Sequence, residues 1–313
     1  MRSSTDASVV MAASAPPDAS ASGGAAEAGG DVDIASEANK TRRTSPATPD
    51  SLFLRVLSSA ALAPTTIGAC WFGGPAFAAL VAFLMVAMCF EWTRMVEGEE
   101  LSPSFFALAG GGAAALIAAA FGAYPLAYAV CALSAAAVVW TARRRPQRRP
   151  WLALAAVYVC APCVSLIWLR EGVDGGRGLT ILLFAVVWSA DTGAYFFGRL
   201  VGGPRLSPVL SPAKTWAGAV GGVLAGGLAG LVGGRLAYGV GDELAYVAVG
   251  GALGLISIVG DMVESAFKRH FAVKDISGFI PGHGGALDRL DGMIFATTAI
   301  SLVLYGHMLL ARL

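Results

Sequence analysis

Asp261, Glu264, Ser265, Lys268 and Arg269 fall close together, followed by Lys274 and Asp275 and then by Pro281-Gly-His283-Gly-Gly-Ala-Leu-Asp288-Arg289-Leu-Asp291. Nine of the chain's 43 charged residues lie between 261 and 291. Carboxylates and cations alternating around a glycine turn suit the handling of phosphate groups. Mg2+ prefers one or two carboxylates plus substrate phosphates, while side-chain cations and backbone N–H groups hold the phosphate oxygens. If a helix runs through 261–269, Asp261, Ser265 and Lys268 share one face at i, i+4 and i+7. Asp288 and Asp291 share a face in the same way. Plainer readings exist for each. Asp288 suits a helix N-cap with Asp291 in the capping-box position, Lys268, Arg269 and Lys274 suit lipid-headgroup anchors, and His283 suits a turn.

Two further segments carry polar groups where apolar ones are expected. WSADTGAY, 188–195, lies inside an apolar run. Asp191 sits about seven residues from the end of that run, hence ~10 Å deep as a helix. An ionised carboxylate there costs roughly 3 kcal/mol or more and must face the bundle interior or a wet cavity. Tyr195 shares its face at i+4. A buried pair locking neighbouring helices is the alternative to a functional polar site. In the loop 199–216, Arg205, Ser211 and Lys214 immediately precede another apolar run, whose first amides would form an anion site. Basic loops of this kind also arise for topological reasons alone. Other motifs fail: Cys160-Ala-Pro-Cys163 lies in an apolar run without βαβ context, and no GxxxxGK(S/T) run is present. Asp291-Gly292 begins like the DG-x-x-AR motif of the CDP-alcohol phosphotransferases, but Phe295-Ala296 stands in place of Ala-Arg. His307 reads as a packed or interfacial residue.

The elements that must position these groups are membrane helices. Of 313 residues, 56% are hydrophobic and only 14% charged, and mean hydropathy is +0.66. A soluble domain of this size needs roughly 25% charged residues. From Leu52 onward, nine apolar runs are each long enough to cross ~30 Å of hydrocarbon: about 54–73, 75–92, 104–122, 124–142, 151–169, 179–198, 215–234, 243–262 and 292–311. The fold class is therefore all-α, a polytopic transmembrane helical bundle of about nine spans. Tight hairpins are expected at Gly73–Pro75 and Gly122–Pro125. Gly218, Gly222, Gly226, Gly230 and Gly234 recur every four residues, a stripe that lets another backbone approach closely. Residues 1–50, without an aromatic residue, read as a disordered tail, and no secretory signal peptide is expected. Residues 51–178 then form N-terminal transmembrane helices, and 179–313 a C-terminal transmembrane catalytic region. With the N-terminus cytoplasmic, seventeen Lys and Arg fall on the inner side and four on the outer, the bias that the positive-inside rule requires. All three polar segments then lie on the cytoplasmic side. A net charge of +1 offers no basic surface for nucleic acid, and five cysteines in apolar runs do not suit a secreted disulfide framework.

The run Ser265-Ala-Phe-Lys268-Arg269, four residues, Lys274-Asp275, then Pro281-Gly-His283-Gly-Gly-x-x-Asp288-Arg289-x-Asp291 resembles the signature of bacterial phosphatidate cytidylyltransferases (CDP-diacylglycerol synthases). WSADTGAYFFGRL resembles that family's Asp-x-x-Ala-Tyr helix, and Ser211-Pro-Ala-Lys214-Thr-Trp216 its Ser-Pro-Lys-Lys-Thr-Trp loop. The likeness spans roughly 185–311. Ala213 replaces the loop's first lysine, Ala217 a common glutamate, and Ala286 a larger aliphatic. The resemblance implies Mg2+-dependent condensation of CTP with phosphatidic acid to CDP-diacylglycerol and pyrophosphate, at a bacterial inner membrane. It implies Asp261, Asp288 and Lys268 as catalytic and Asp261, Asp288 and Asp291 as metal ligands. Ser211, Lys214, Arg269, Lys274, His283, Arg289, Asp191 and Tyr195 would contact substrate. Membrane lipids are expected neighbours, nucleic acid is not a partner, and a homodimer is compatible with the sequence. Two rivals remain: a transporter, which calls for charges near the midplane and internal repeats, and a CTP-dependent lipid kinase.

Overall fold

The computed structural model describes residues 49–273, 277 and 284–311. The tail expected over 1–50 lies outside them apart from its last two residues, which open the first helix. Each expected apolar run is helical: α1 Pro49–Phe72, α2 Gly74–Glu97, α3 Pro103–Ala120, α4 Tyr124–Thr141, α5 Arg149–Ala155 with α6 Ala161–Glu171, α7 Gly176–Leu200, α8 Trp216–Tyr238, α9 Glu243–His270 and α10 Leu287–Leu310. Among the described residues, eight helical stretches are long and apolar enough to span a membrane, Pro146–Glu171 counting as one. Ala61–Phe72 of α1 is a further, shorter apolar stretch. The protein is a polytopic transmembrane helical bundle.

The expected hairpins are present. α1 and α2 are separated by Gly73 alone, and Gly73 and Gly74 both have positive φ, which a side-chain-bearing residue rarely adopts. The fifth run is not one uniform helix: α5 and α6 are joined by a π-helical turn, Ala156–Cys160. Pro162 explains it. Proline has no N–H to give to the carbonyl of residue 158, and its ring crowds that carbonyl, so the helix widens there.

The glycine stripe of α8 is buried and packs on two helices. A Cβ on Gly230 would lie 2.4 Å from the Tyr246 carbonyl oxygen, and one on Gly226 would lie 2.8 Å from that of Gly250. α8 and α9 thus meet backbone to backbone. Nearer its start, Gly218 and Gly222 abut the Ala194 and Ala190 carbonyls of α7. These contacts set α7 and α9 beside the first turns of α8, where the chemistry-bearing residues lie.

Contacts assign the loops to two ends of the bundle. At one end Arg170 Nε donates to the Cys70 carbonyl, 2.6 Å, and the Gly74 N–H donates to Glu171, 2.7 Å. At the other, Arg148 donates to the Glu97 carbonyl, 2.6 Å, and the Trp151 ring lies 4.5 Å from that of His270. An aromatic cluster there ties the halves of the chain together. Trp92 of α2 lies 5.2 Å from Phe267 of α9 and 5.0 Å from Tyr158, and its indole N–H donates to the Trp151 carbonyl, 2.9 Å. All five cysteines are buried and none forms a disulfide.

Candidate active site

The 199–216 loop folds into a short antiparallel hairpin, β1 Arg205–Ser207 and β2 Ser211–Thr215, an addition to the all-helical expectation. Thr215 ends it as the N-cap of α8, its hydroxyl accepting from the Gly218 N–H at 3.1 Å. The hairpin aims the residue before the cap, Lys214, across to α9, where its ammonium pairs with Asp261. α9 supports this by running to His270, well past the apolar stretch. Asp261 therefore sits on continuous helix about nine residues, or ~13 Å, from its end.

Asp191 and Tyr195 of α7, Lys214 of β2, Asp261 of α9, and Asp288, Arg289 and Asp291 of α10 all line one cavity of about 490 Å³. Ala213, where the resembled loop has lysine, also lines it. The Asp191 carboxylate accepts from the Ser257 hydroxyl at 3.3 Å, and the Asp291 carboxyl lies against that of Asp261. Tyr195 does not bond Asp191; its hydroxyl accepts from Arg199 one turn on, 3.1 Å.

Lys268 stands beside the cavity rather than on its wall. Its ammonium lies 2.8 Å from Asp288 and 3.1 Å from Glu264, so it bridges α9 to α10 and is not a free headgroup anchor. Asp288 is not the N-cap of α10. That position is Ala286, without a side-chain cap, and Asp288 falls in the first turn, accepting weakly from the Gly285 N–H at 3.4 Å. Ser211 and Arg269 lie off the cavity wall. Lys274 and His283 lie outside the described residues.

Two participants, Glu91 and Ser257, escape a reading by motif, and a third, Glu264, falls in the charged run without a role of its own. Glu91 of α2, fully buried, accepts from the N–H groups of Ala286 at 2.9 Å and Leu287 at 2.7 Å and from the Ser277 hydroxyl. Glu264, 2% exposed, holds Lys268, and Ser257 holds Asp191. The signal for Glu91 was available: it is the lone acid in the run 75–92, the kind of intramembrane charge that drew notice to Asp191.

The cavity joins carboxylates to cations in a site partly shielded from water. That is the equipment for binding a polyphosphate and stabilising charge as a phosphoryl bond breaks. Its donors suit a hard divalent cation: four carboxylates and no thiolate or imidazole among the described lining residues. Among the described residues no three acids come close enough to enclose a metal ion by themselves. Mg2+ does not require that, because substrate phosphates and water complete its octahedron.

Residues 53–307 match the model of the cytidylyltransferase family. The chain belongs to that family. It is 33% identical over 262 residues to a phosphatidate cytidylyltransferase of Brucella suis, covering 82% of this chain and 93% of that one. It is 44% identical over 141 residues to one of Staphylococcus epidermidis, 45% and 54% of the two chains, and 41% over 134 residues to one of Haemophilus influenzae, 41% and 46%. Cytidylyl transfer from a nucleoside triphosphate requires triphosphate binding and pyrophosphate release, and the cationic and acidic walls of the cavity suit both.

Proposed function

We propose that this cytidylyltransferase joins CTP to phosphatidate, giving CDP-diacylglycerol and pyrophosphate in phospholipid synthesis. The observation that carries the reading is one cavity in which Asp191, Asp261, Asp288 and Asp291 meet Lys214 and Arg289 at one end of a membrane helix bundle. A lipid phosphate lies at the membrane surface and CTP in water, and a cavity at a helix-bundle end is open to both. An oxygen of the lipid phosphate attacks the α-phosphorus of CTP. The new P–O bond forms as the bond from the α-phosphorus to the bridging oxygen breaks, and that oxygen leaves with pyrophosphate.

Lys214 and Arg289 hold phosphates and counter the charge that develops on the leaving group. Lys268, fixed between Glu264 and Asp288, keeps Asp288 turned toward its cavity position. Tyr195 and Arg199 also line the cavity, and the sequence motif assigns further substrate contacts to Ser211, Arg269, Lys274 and His283. One or two of Asp261, Asp288 and Asp291 would hold Mg2+ together with substrate phosphates, and the ion would supply charge neutralisation for the triphosphate.

The cavity end of the bundle also carries Arg94, the arginines of 143–149, Arg199 and Arg205. By the positive-inside rule this end faces the cytoplasm of a bacterial cell, the N-terminus lies inside, and the bundle sits in the inner membrane. Every residue given a role belongs to one chain, so a homodimer is not needed to complete the site.

Labelled CTP tests the reaction. With purified protein, phosphatidate and Mg2+, label on the α-phosphorus enters lipid as pyrophosphate is released in equal amount, and chelation by EDTA stops both. Lipid labelled from the γ-phosphorus instead would identify a kinase and end the proposal.

A further inference from the structure

We infer that Glu91 is a positioning residue for the reaction, a clasp that fixes the first turn of α10 and with it Asp288 and Asp291. The inference rests on the proposed catalytic role of those two aspartates. The amides of a helix's first turn have no partners within the helix, and Ala286 supplies no side-chain cap. Glu91 supplies one from α2, about 195 residues away in sequence. Its two oxygens take separate amides, Oε1 that of Ala286 and Oε2 that of Leu287, a grip that restrains rotation of the helix as well as its height. A carboxylate here also meets the positive end of the helix dipole.

Oε1 further accepts from Ser277, so one side chain joins the chain before the glycine turn to the helix after it. The fit is close. A Cβ on Gly285 would stand 2.8 Å from the Glu91 carboxylate, so a side chain at 285 would push the clasp open. Asp288 follows one residue after the second bound amide, and Asp291 one turn later on the same helix. A shift in the start of α10 therefore moves both relative to Asp261 and Lys214.

Glu171 provides a control at the opposite end of the bundle, where it accepts from one first-turn amide of α2, the Gly74 N–H at 2.7 Å, and is more exposed than Glu91. In the full-length protein in detergent, Glu91→Gln replaces one acceptor oxygen with a donor NH2 facing amide donors. Its kcat is expected to fall about 100-fold, the scale of a 1 Å misplacement, with little change in the KM for CTP. Amide exchange over 285–290 speeds up in the same variant. Glu171→Gln speeds exchange near Gly74 and leaves kcat near wild type, and Glu91→Asp recovers part of the lost kcat. Should Glu91→Gln not fold, Glu91→Asp is read against the same control. Wild-type kcat in the Glu91 variants alongside an inactive Asp288→Asn would overturn the positioning role alone. An active Asp288→Asn would overturn the catalytic reading beneath it, and equal kcat losses in the Glu91 and Glu171 variants would reduce the effect to general destabilisation.

Discussion

Asp261 and Asp288 each sit against a lysine, Lys214 and Lys268, and the exchange of those ammonium groups for phosphate or Mg2+ is what the site must allow. Replacing either carboxylate by an amide keeps shape and removes charge. Asp261→Asn and Asp288→Asn are each expected to lower turnover by at least 10²-fold, the scale seen when one charge-stabilising group is lost. Both should still insert and give wild-type helical content by circular dichroism. Near-normal turnover in both would remove the metal assignment. Lys214 is the hairpin's one cation on the cavity wall, since the neighbouring position is Ala213. Lys214→Met is expected to raise the KM for CTP, measured at saturating phosphatidate, because a phosphate contact made in the ground state is lost.

At the scale of elements, α8 is the piece around which the site is assembled. Its glycines let α7 and α9 approach until carbonyl oxygens stand where side chains would, which brings Asp191 and Asp261 to one cavity. Gly230→Ala places a methyl 2.4 Å from the Tyr246 carbonyl oxygen, and overpacking of this kind costs about 1–3 kcal/mol. A thermal midpoint lowered in Gly230→Ala but unchanged in Gly110→Ala, where a Cβ has nothing within 4 Å, is the expected pair of results. Equal midpoints would mean that the α8–α9 contact relaxes freely. The π turn before Pro162 acts at the same scale, placing Tyr158 against Trp92 and Phe267 and so bracing the end of α9 that carries Lys268.

The whole molecule is polarised. Most of the arginines lie at the cavity end, while at the other end Arg170, Arg177 and Arg235 stand among Glu171, Asp174, Asp242 and Glu243. Because the five native cysteines are buried, introduced cysteines report sidedness against a low background. Val240→Cys, at an 88% exposed position in the loop between α8 and α9, should react with a membrane-impermeant maleimide in intact spheroplasts. Arg144→Cys, in the cation-rich loop, should react only after lysis. The reverse pattern would put the cavity outside, away from CTP. The aromatic cluster of Trp92, Trp151, Tyr158 and Phe267 makes the two halves of the chain one body at the cavity end, so residues before 179 contribute to a site whose acids come after it.

Sequence alone was enough for the helices, because a bilayer admits only long apolar segments whose backbone bonds close internally, and composition reports such segments directly. It also marked Asp191, Lys214, Asp261, Asp288, Arg289 and Asp291, since charge in or beside apolar runs is costly and therefore conspicuous. Pairing was another matter. That Lys214 meets Asp261, that Lys268 bridges Glu264 to Asp288, and that Glu91 caps α10 depend on which helices become neighbours and how each is rotated. Those choices follow from glycine contacts and ring packing between residues far apart in the chain, an interaction that no local pattern encodes.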